Sequence, residues 1–234
     1  MGSINIVFII SELLGWGVVA YFVYRKLQNQ PEKPKWWKAA VVTLVGIFSV
    51  DFKFFVADTP LAVPFIPLGV FLLFIVLSRT EKIWKTYRPF AWLGFKANFI
   101  FLAATLLAIP VHGLIYPKEA PSTYLAQVEH AYLLPTHPSA PQQTLHVEKL
   151  RQEIGLLEKS PHVEDWFEAY DKEEERFPYQ LVGSRPKWGS GMVPAIYVER
   201  DGQGLLVVTP LQSYYFRAKE SFLEGGAPHE STDD

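Results

Sequence analysis

The residues of this chain best equipped for chemistry are charges in places where charge is costly. The stretch Ser49–Asp58, SVDFKFFVAD, sets Asp51 and Lys53 at the end of an apolar run that begins at Ala39. Glu12 and His112 lie in two further apolar runs. An ionisable group in a membrane-spanning segment usually faces the protein interior and finds a partner, because hydrocarbon does not solvate charge. Read as helices rising ~1.5 Å per residue, these runs put Glu12 about 12 Å, Asp51 about 10 Å, Lys53 about 7 Å and His112 about 6 Å below one face of a bilayer. The four could then share one polar layer, serving a proton, an ion or a lipid headgroup. Two positions apart on a helix, Asp51 and Lys53 would face different ways and would not pair with each other. Two plainer readings stand beside this one. The helix ends near Val50 and leaves DFKFFVADTP as an interfacial loop, or the charges pair and fix helix packing.

A second group lies in SRPKWGSG, residues 184–191. Ser184 and Lys187 have the Ser-x-x-Lys spacing of penicillin-binding enzymes, which needs both side chains on one helical turn. Trp188-Gly189-Ser190-Gly191 follows immediately, which does not suit a helix, and the other motifs of those enzymes are missing. Arg185, Lys187 and Trp188 instead suggest a loop that binds something. The remaining histidines, His130, His137, His146, His162 and His229, have no compact ligand spacing. There is no phosphate-binding loop, no dinucleotide fingerprint and no cysteine. The sequence therefore calls for no cofactor and no metal.

These residues must be held by apolar segments. A transmembrane helix takes about 20 apolar residues, and four runs qualify: Ile4–Tyr24, Ala39–Ala57, Leu61–Ser78 and Ala97–Tyr116. Arg25, Lys26, Lys33, Lys35 and Lys38 separate the first two; Arg79, Lys82, Lys85, Arg88 and Lys96 separate the last two. The N-terminus and the 58–60 loop carry no Lys or Arg. That asymmetry puts both basic loops in the cytoplasm and both termini outside. Tyr21, Tyr24, Trp36, Trp37, Trp84, Tyr87 and Trp92 crowd the inner edges, where an aromatic belt is expected. The segment KIWKTYRPFAWLGF is read as lying along the inner interface, as a topology anchor or as a lipid-regulated or partner-docking loop.

Charge changes at Pro117. Residues 1–117 hold 11 Lys/Arg and 5 Asp/Glu, residues 118–234 hold 11 and 19. The total of −2 gives no global field for nucleic acid. Five prolines between Pro117 and Pro141 read as a stalk, with Tyr124, Leu125, Val128 and Tyr132 on one face of a short amphipathic helix. Val147, Leu150, Ile154 and Leu157 predict a helix over 144–159. Ser160-Pro161 then starts a second one, with Val163, Trp166, Phe167 and Tyr170 on its stripe. Ala195–Arg200 and Leu205–Thr209 flank Asp-Gly-Gln-Gly and predict a β-hairpin. Residues 212–218 are a third strand or a helix.

The sequence thus predicts an integral membrane protein. Four transmembrane α-helices occupy 1–116, a Pro-rich stalk 117–141, a small exoplasmic α+β domain (helical hairpin, then β-hairpin) 142–222, and a disordered tail 223–234. The absence of cysteine and of an Asn-x-Ser/Thr sequon suits a bacterial plasma membrane. Expected partners are the lipid bilayer and a protein or ligand at the outer face. The favoured role is non-enzymatic binding by the outer domain. A transport or lipid-handling subunit using the polar layer comes second, an envelope enzyme third.

Overall fold

Uninterrupted apolar sequence long enough to cross a bilayer forms helix in two places. The computed structural model describes residues 4–31, 34–56, 59–160, 175–210 and 212–224. Within them α1 runs Ile6–Asn29 and α4 runs Glu81–Ile115, 24 and 35 residues, and both are long and apolar enough to cross a membrane. The segment read as lying along the inner interface is not separate: Lys82–Phe95 continues into α4 as one helix.

The two middle spans of the sequence reading are corrected. Between the long helices lie α2 (Trp36–Gly46), β1 (Val50–Val56), β2 (Thr59–Ile66) and α3 (Leu68–Leu77). Helices of 11 and 10 residues are about 15 Å long, half the ~30 Å of hydrocarbon. The rest of each apolar run is strand. β1 and β2 pair antiparallel, with Asp51 opposite Pro64 and Lys53 opposite Ala62. Valine and phenylalanine fill β1, residues that suit a pleated surface better than a helix. Pro60 and Pro64 are tolerated in β2 because a two-stranded ribbon leaves an edge with no partner for their missing N–H groups.

The described chain divides into two units: Ile6–His112, and Gly113–Asp234 with Met1–Asn5. The first has a small core of Ala39, Val42, Val70, Leu73, Phe90 and Ala91. The second is built on an antiparallel six-stranded sheet. Its elements, after the one-turn α5 (Pro121–Tyr124), are β3 (Tyr132–Pro135), β4 (Thr144–Leu145), α6 (Val147–Glu153), β5 (Glu158–Lys159), β6 (Tyr179–Val182), β7 (Ala195–Val198), β8 (Gly204–Val208), β9 (Ser213–Arg217) and β10 (Leu223–Glu224). Strand order is β3-β6-β7-β8-β9-β5, and β4 pairs with β10 apart from it. Alternate residues of the strands, Tyr179, Leu181, Ile196, Val198, Leu205, Val207, Tyr214 and Phe216, join Leu150, Ile154 and Leu157 in one core.

The hairpin expected around Asp-Gly-Gln-Gly is β7–β8, in register Ala195↔Val208 to Val198↔Leu205, and residues 213–217 are the strand of the two alternatives. The stalk is corrected: β3 is an edge strand of the sheet, and Tyr124, Leu125 and Val128 are buried in its core. The amphipathic helix reduces to α5, whose neighbours turn towards this core. The helix over 144–159 is also corrected. Only Val147–Glu153 is helical, with strands β4 and β5 on either side. Its proposed partner helix from Pro161 lies outside the described residues, as does the tail beyond Glu224.

Candidate functional site

The helix break before Asp51 is where the first unit concentrates polar atoms. α2 stops at Gly46 with a tight last turn, Ile47 and Phe48 donating to the carbonyls of Leu44 and Val45. The next carbonyls have no helical partner, a state that apolar surroundings penalise. Two groups supply the missing bonds. The Gly69 amide donates to the Phe48 carbonyl at 2.8 Å. Asn98, in the middle of α4, donates through Nδ2 to the Ile47 carbonyl at 2.8 Å and to Ser49 Oγ at 3.3 Å. Ser49 Oγ in turn donates to Asp51 Oδ1 at 2.5 Å. The charge at Asp51 is therefore linked, through one hydroxyl, to the side chain that caps the broken helix.

Three glycines let the backbones come this close. A Cβ at Gly46 would strike the Ala91 carbonyl, one at Gly69 the Val45 carbonyl, and one at Gly94 the Thr43 carbonyl and, at 2.8 Å, the Gly46 Cα. Backbone atoms cannot swing aside, so these positions require glycine. Gly94 and Asn98 are four apart and share one face of α4. Glycine brings the helices together and asparagine satisfies the break that results, the pattern of small and hydrogen-bonding residues by which apolar helices associate.

The expected polar layer is placed differently. On β1 residues two apart share a face, so Asp51 and Lys53 point the same way, not to separate faces. The strand also rises about 3.3 Å per residue, which removes the helical depth ladder. His112 sits with its ring 5.8 Å from that of Phe8, and Glu12 is exposed on α1. The structure joins Asp51 to Ser49, and only through Ser49 to Asn98. Among the described residues, no hydrogen bond or ion pair joins it to Glu12, Lys53 or His112. Ser49 and Asn98 were missed by sequence reasoning, although an asparagine four residues after a glycine in an apolar run was a usable signal. Replacing Asn98 by leucine should cost about 1–3 kcal/mol by orphaning the Ile47 carbonyl. Thermal unfolding of the detergent-solubilised chain checks this, with Asn98→Gln expected to retain part of the loss.

The second unit contains the loop predicted to bind. It joins β6 to β7 and is tied by its backbone. Arg185 exchanges backbone bonds with Gln127 at 2.8 and 3.1 Å, and the Lys187 amide donates to the Thr123 carbonyl. Lys187 Nζ donates to the Ile115 carbonyl at 3.2 Å and lies over the Tyr116 ring, and Tyr116 Oη donates to the Trp188 carbonyl at 3.0 Å. Ser190 is buried and forms a bridge with Asn5, the residue before α1. Trp188 is left 73% exposed. Ser184 and Lys187 lie on no helix, so the helical turn that Ser-x-x-Lys chemistry needs is not formed.

No family model, curated protein or solved structure matches this chain.

One further cluster in the second unit was not expected. Glu199, at the end of β7, is 6% exposed. Its Oε1 accepts from Arg176 Nε at 2.5 Å, and its Oε2 accepts from Tyr215 Oη at 2.5 Å and Arg217 Nη1 at 2.9 Å. Arg217 also bonds Asp201 and Gln203. The Tyr215 phenol is pushed above its ordinary range, chiefly by burial and next by its bond to the Glu199 carboxylate. The carboxylate fills the space a side chain at Gly204 would need. A charge so fully satisfied, with the phenol held neutral, fixes the turn between β7 and β8.

Proposed function

We propose that this chain is a multi-pass membrane protein whose C-terminal domain lies on the outer face and binds a protein partner or ligand without chemistry of its own. The observation that carries the binding role is Trp188: a large apolar ring held out in solvent by a loop whose backbone is fixed on several sides. Such a ring is pre-organised, so little conformational freedom is lost when it is covered. Arg185 and Lys187, also exposed, favour an acidic rim on the partner.

The membrane reading rests on separate support. Apolar side chains along α1 and α4 are exposed, Leu107 to 71% and Leu114 to 83%, where a water-soluble protein would bury them. The bridge between Asn5 and Ser190 puts the residue before α1 beside the C-terminal domain, which suits an even number of crossings. The ten cations of the two basic loops favour the cytoplasm for the opposite ends. With α1 and α4 as the crossings, α2, the hairpin and α3 form an excursion between them.

The chain has no cysteine, so single cysteines report cleanly. An impermeant maleimide in intact cells should label Val193→Cys and leave Lys85→Cys untouched; the reverse pattern would overturn the orientation. A photo-crosslinking amino acid at Trp188 should give a protein adduct of one defined mass. Adducts to lipid alone, or none, would overturn the binding role.

A second reading, transport or lipid handling, is favoured by the Ser49–Asp51–Asn98 cluster at the broken helix. The two separate by mutation: if the cluster works, Asp51→Asn abolishes function with folded protein still in the membrane; if the domain works, deletion of 142–222 does so.

A further inference from the structure

We propose that a cavity between α1 and α4 holds the phosphate of an anionic lipid headgroup. The cavity, of about 450 Å³, is lined by Arg25 and Lys26 from the last turns of α1, Lys96 from α4, and the rings of Phe22, Trp92 and Pro89. The three cations converge on one space, and none forms an ion pair with an acid among the described residues. Cations left unpaired around a cavity repel one another, and an anion between them removes that cost. The rings supply what a lipid needs beside its charge, an apolar wall for the glycerol and upper acyl carbons.

Depth supports lipid as the source of the phosphate. Arg25 lies 19 residues from Ile6, the first residue of α1, and Lys96 lies 19 residues from Ile115, the last of α4. At ~1.5 Å per residue each is about 28 Å from its helix end, close to the ~30 Å thickness of bilayer hydrocarbon. Both side chains therefore reach the headgroup layer of one leaflet if the far helix ends lie at the other. Between Lys96 and Ile115 the helix carries no Asp, Glu, Lys or Arg. Basic pockets between helices at this level are suited to phosphate headgroups. Pro89 adds to the opening, since it cannot donate to the carbonyl one turn earlier and loosens α4 there.

The proposal rests on the reading that α1 and α4 cross a bilayer, and its test separates the two. The full-length protein is purified in detergent. Native mass spectrometry then compares retention of phosphatidylglycerol with that of phosphatidylcholine of the same acyl chains. Wild type should retain the anionic lipid preferentially. At roughly fivefold per cation, Arg25→Gln/Lys26→Gln/Lys96→Gln should weaken that retention on the order of a hundredfold and leave phosphatidylcholine unchanged. Lys96→Arg, which keeps the charge, should bind as wild type, and so should Lys82→Gln/Lys85→Gln, which removes two cations outside this cavity. Equal retention by the triple variant and wild type would overturn the proposal. So would displacement of the lipid by millimolar inorganic phosphate, which would mark a site for soluble phosphate. A chain that stays monodisperse without detergent would overturn the membrane reading itself.

Discussion

Replacing Glu199 by alanine should destabilise the sheet domain by about 3–5 kcal/mol, because it strands two guanidiniums and a phenol that the carboxylate now satisfies. The loss follows from burial: Glu199 is almost wholly covered, and Arg176 is mostly so. At about 4–8 °C per kcal/mol for a small domain, the midpoint should fall by roughly 12–40 °C. Glu199→Gln should fall between, since an amide keeps an acceptor but not the charge. Arg217→Ala should cost less, because Arg217 is more exposed and Glu199 keeps Arg176 and Tyr215. The measurement is protease resistance of residues 113–224 against temperature in the full-length protein. A midpoint unchanged in Glu199→Ala would mean that the cluster is ornamental to the fold and free for another role.

The second large effect is expected at Gly94. Leucine there would drive a side chain into the Thr43 carbonyl and the Gly46 backbone, and overpacking against immobile backbone should cost about 3 kcal/mol or more. The helices would separate, and Asn98 would lose the Ile47 carbonyl with them. Gly94→Leu should therefore reduce the monodisperse fraction after detergent extraction and lower the midpoint of unfolding. Gly94→Ala should do so to a smaller degree. Gly17 is the control, since a Cβ there meets nothing within 4 Å, and Gly17→Leu should behave as wild type. Wild-type behaviour of Gly94→Leu would show that the crossing at Gly46, Gly69 and Gly94 does not form.

The two long helices could be read from the sequence because their apolar runs exceed any strand. The middle runs could not be, because hydropathy summed over a window does not distinguish a buried helix from a helix followed by a strand. The signal was nonetheless present in Val50-Asp51-Phe52-Lys53-Phe54, where polar and apolar residues alternate with a period of two. The β7–β8 hairpin announced itself through its turn. β3 and β6 did not, being four residues each and paired across nearly fifty positions. The candidate sites divide in the same way. Asp51 stood out as a charge in an apolar run. Asn98, which reaches it through Ser49, did not, since a contact across 49 residues leaves no local pattern. Glu199 looked like an ordinary strand-end acid, because what buries it comes from 16 to 23 residues away.

The bridge between Asn5 and Ser190 also dictates an order of assembly. At about 5–20 residues per second, the ribosome delivers Ser190 some ten to forty seconds after Asn5 has emerged. For that interval the bridge cannot exist, and α1 is synthesised before Ser190. The bridge is therefore a late contact, one that ties the start of the chain to a segment synthesised long after it.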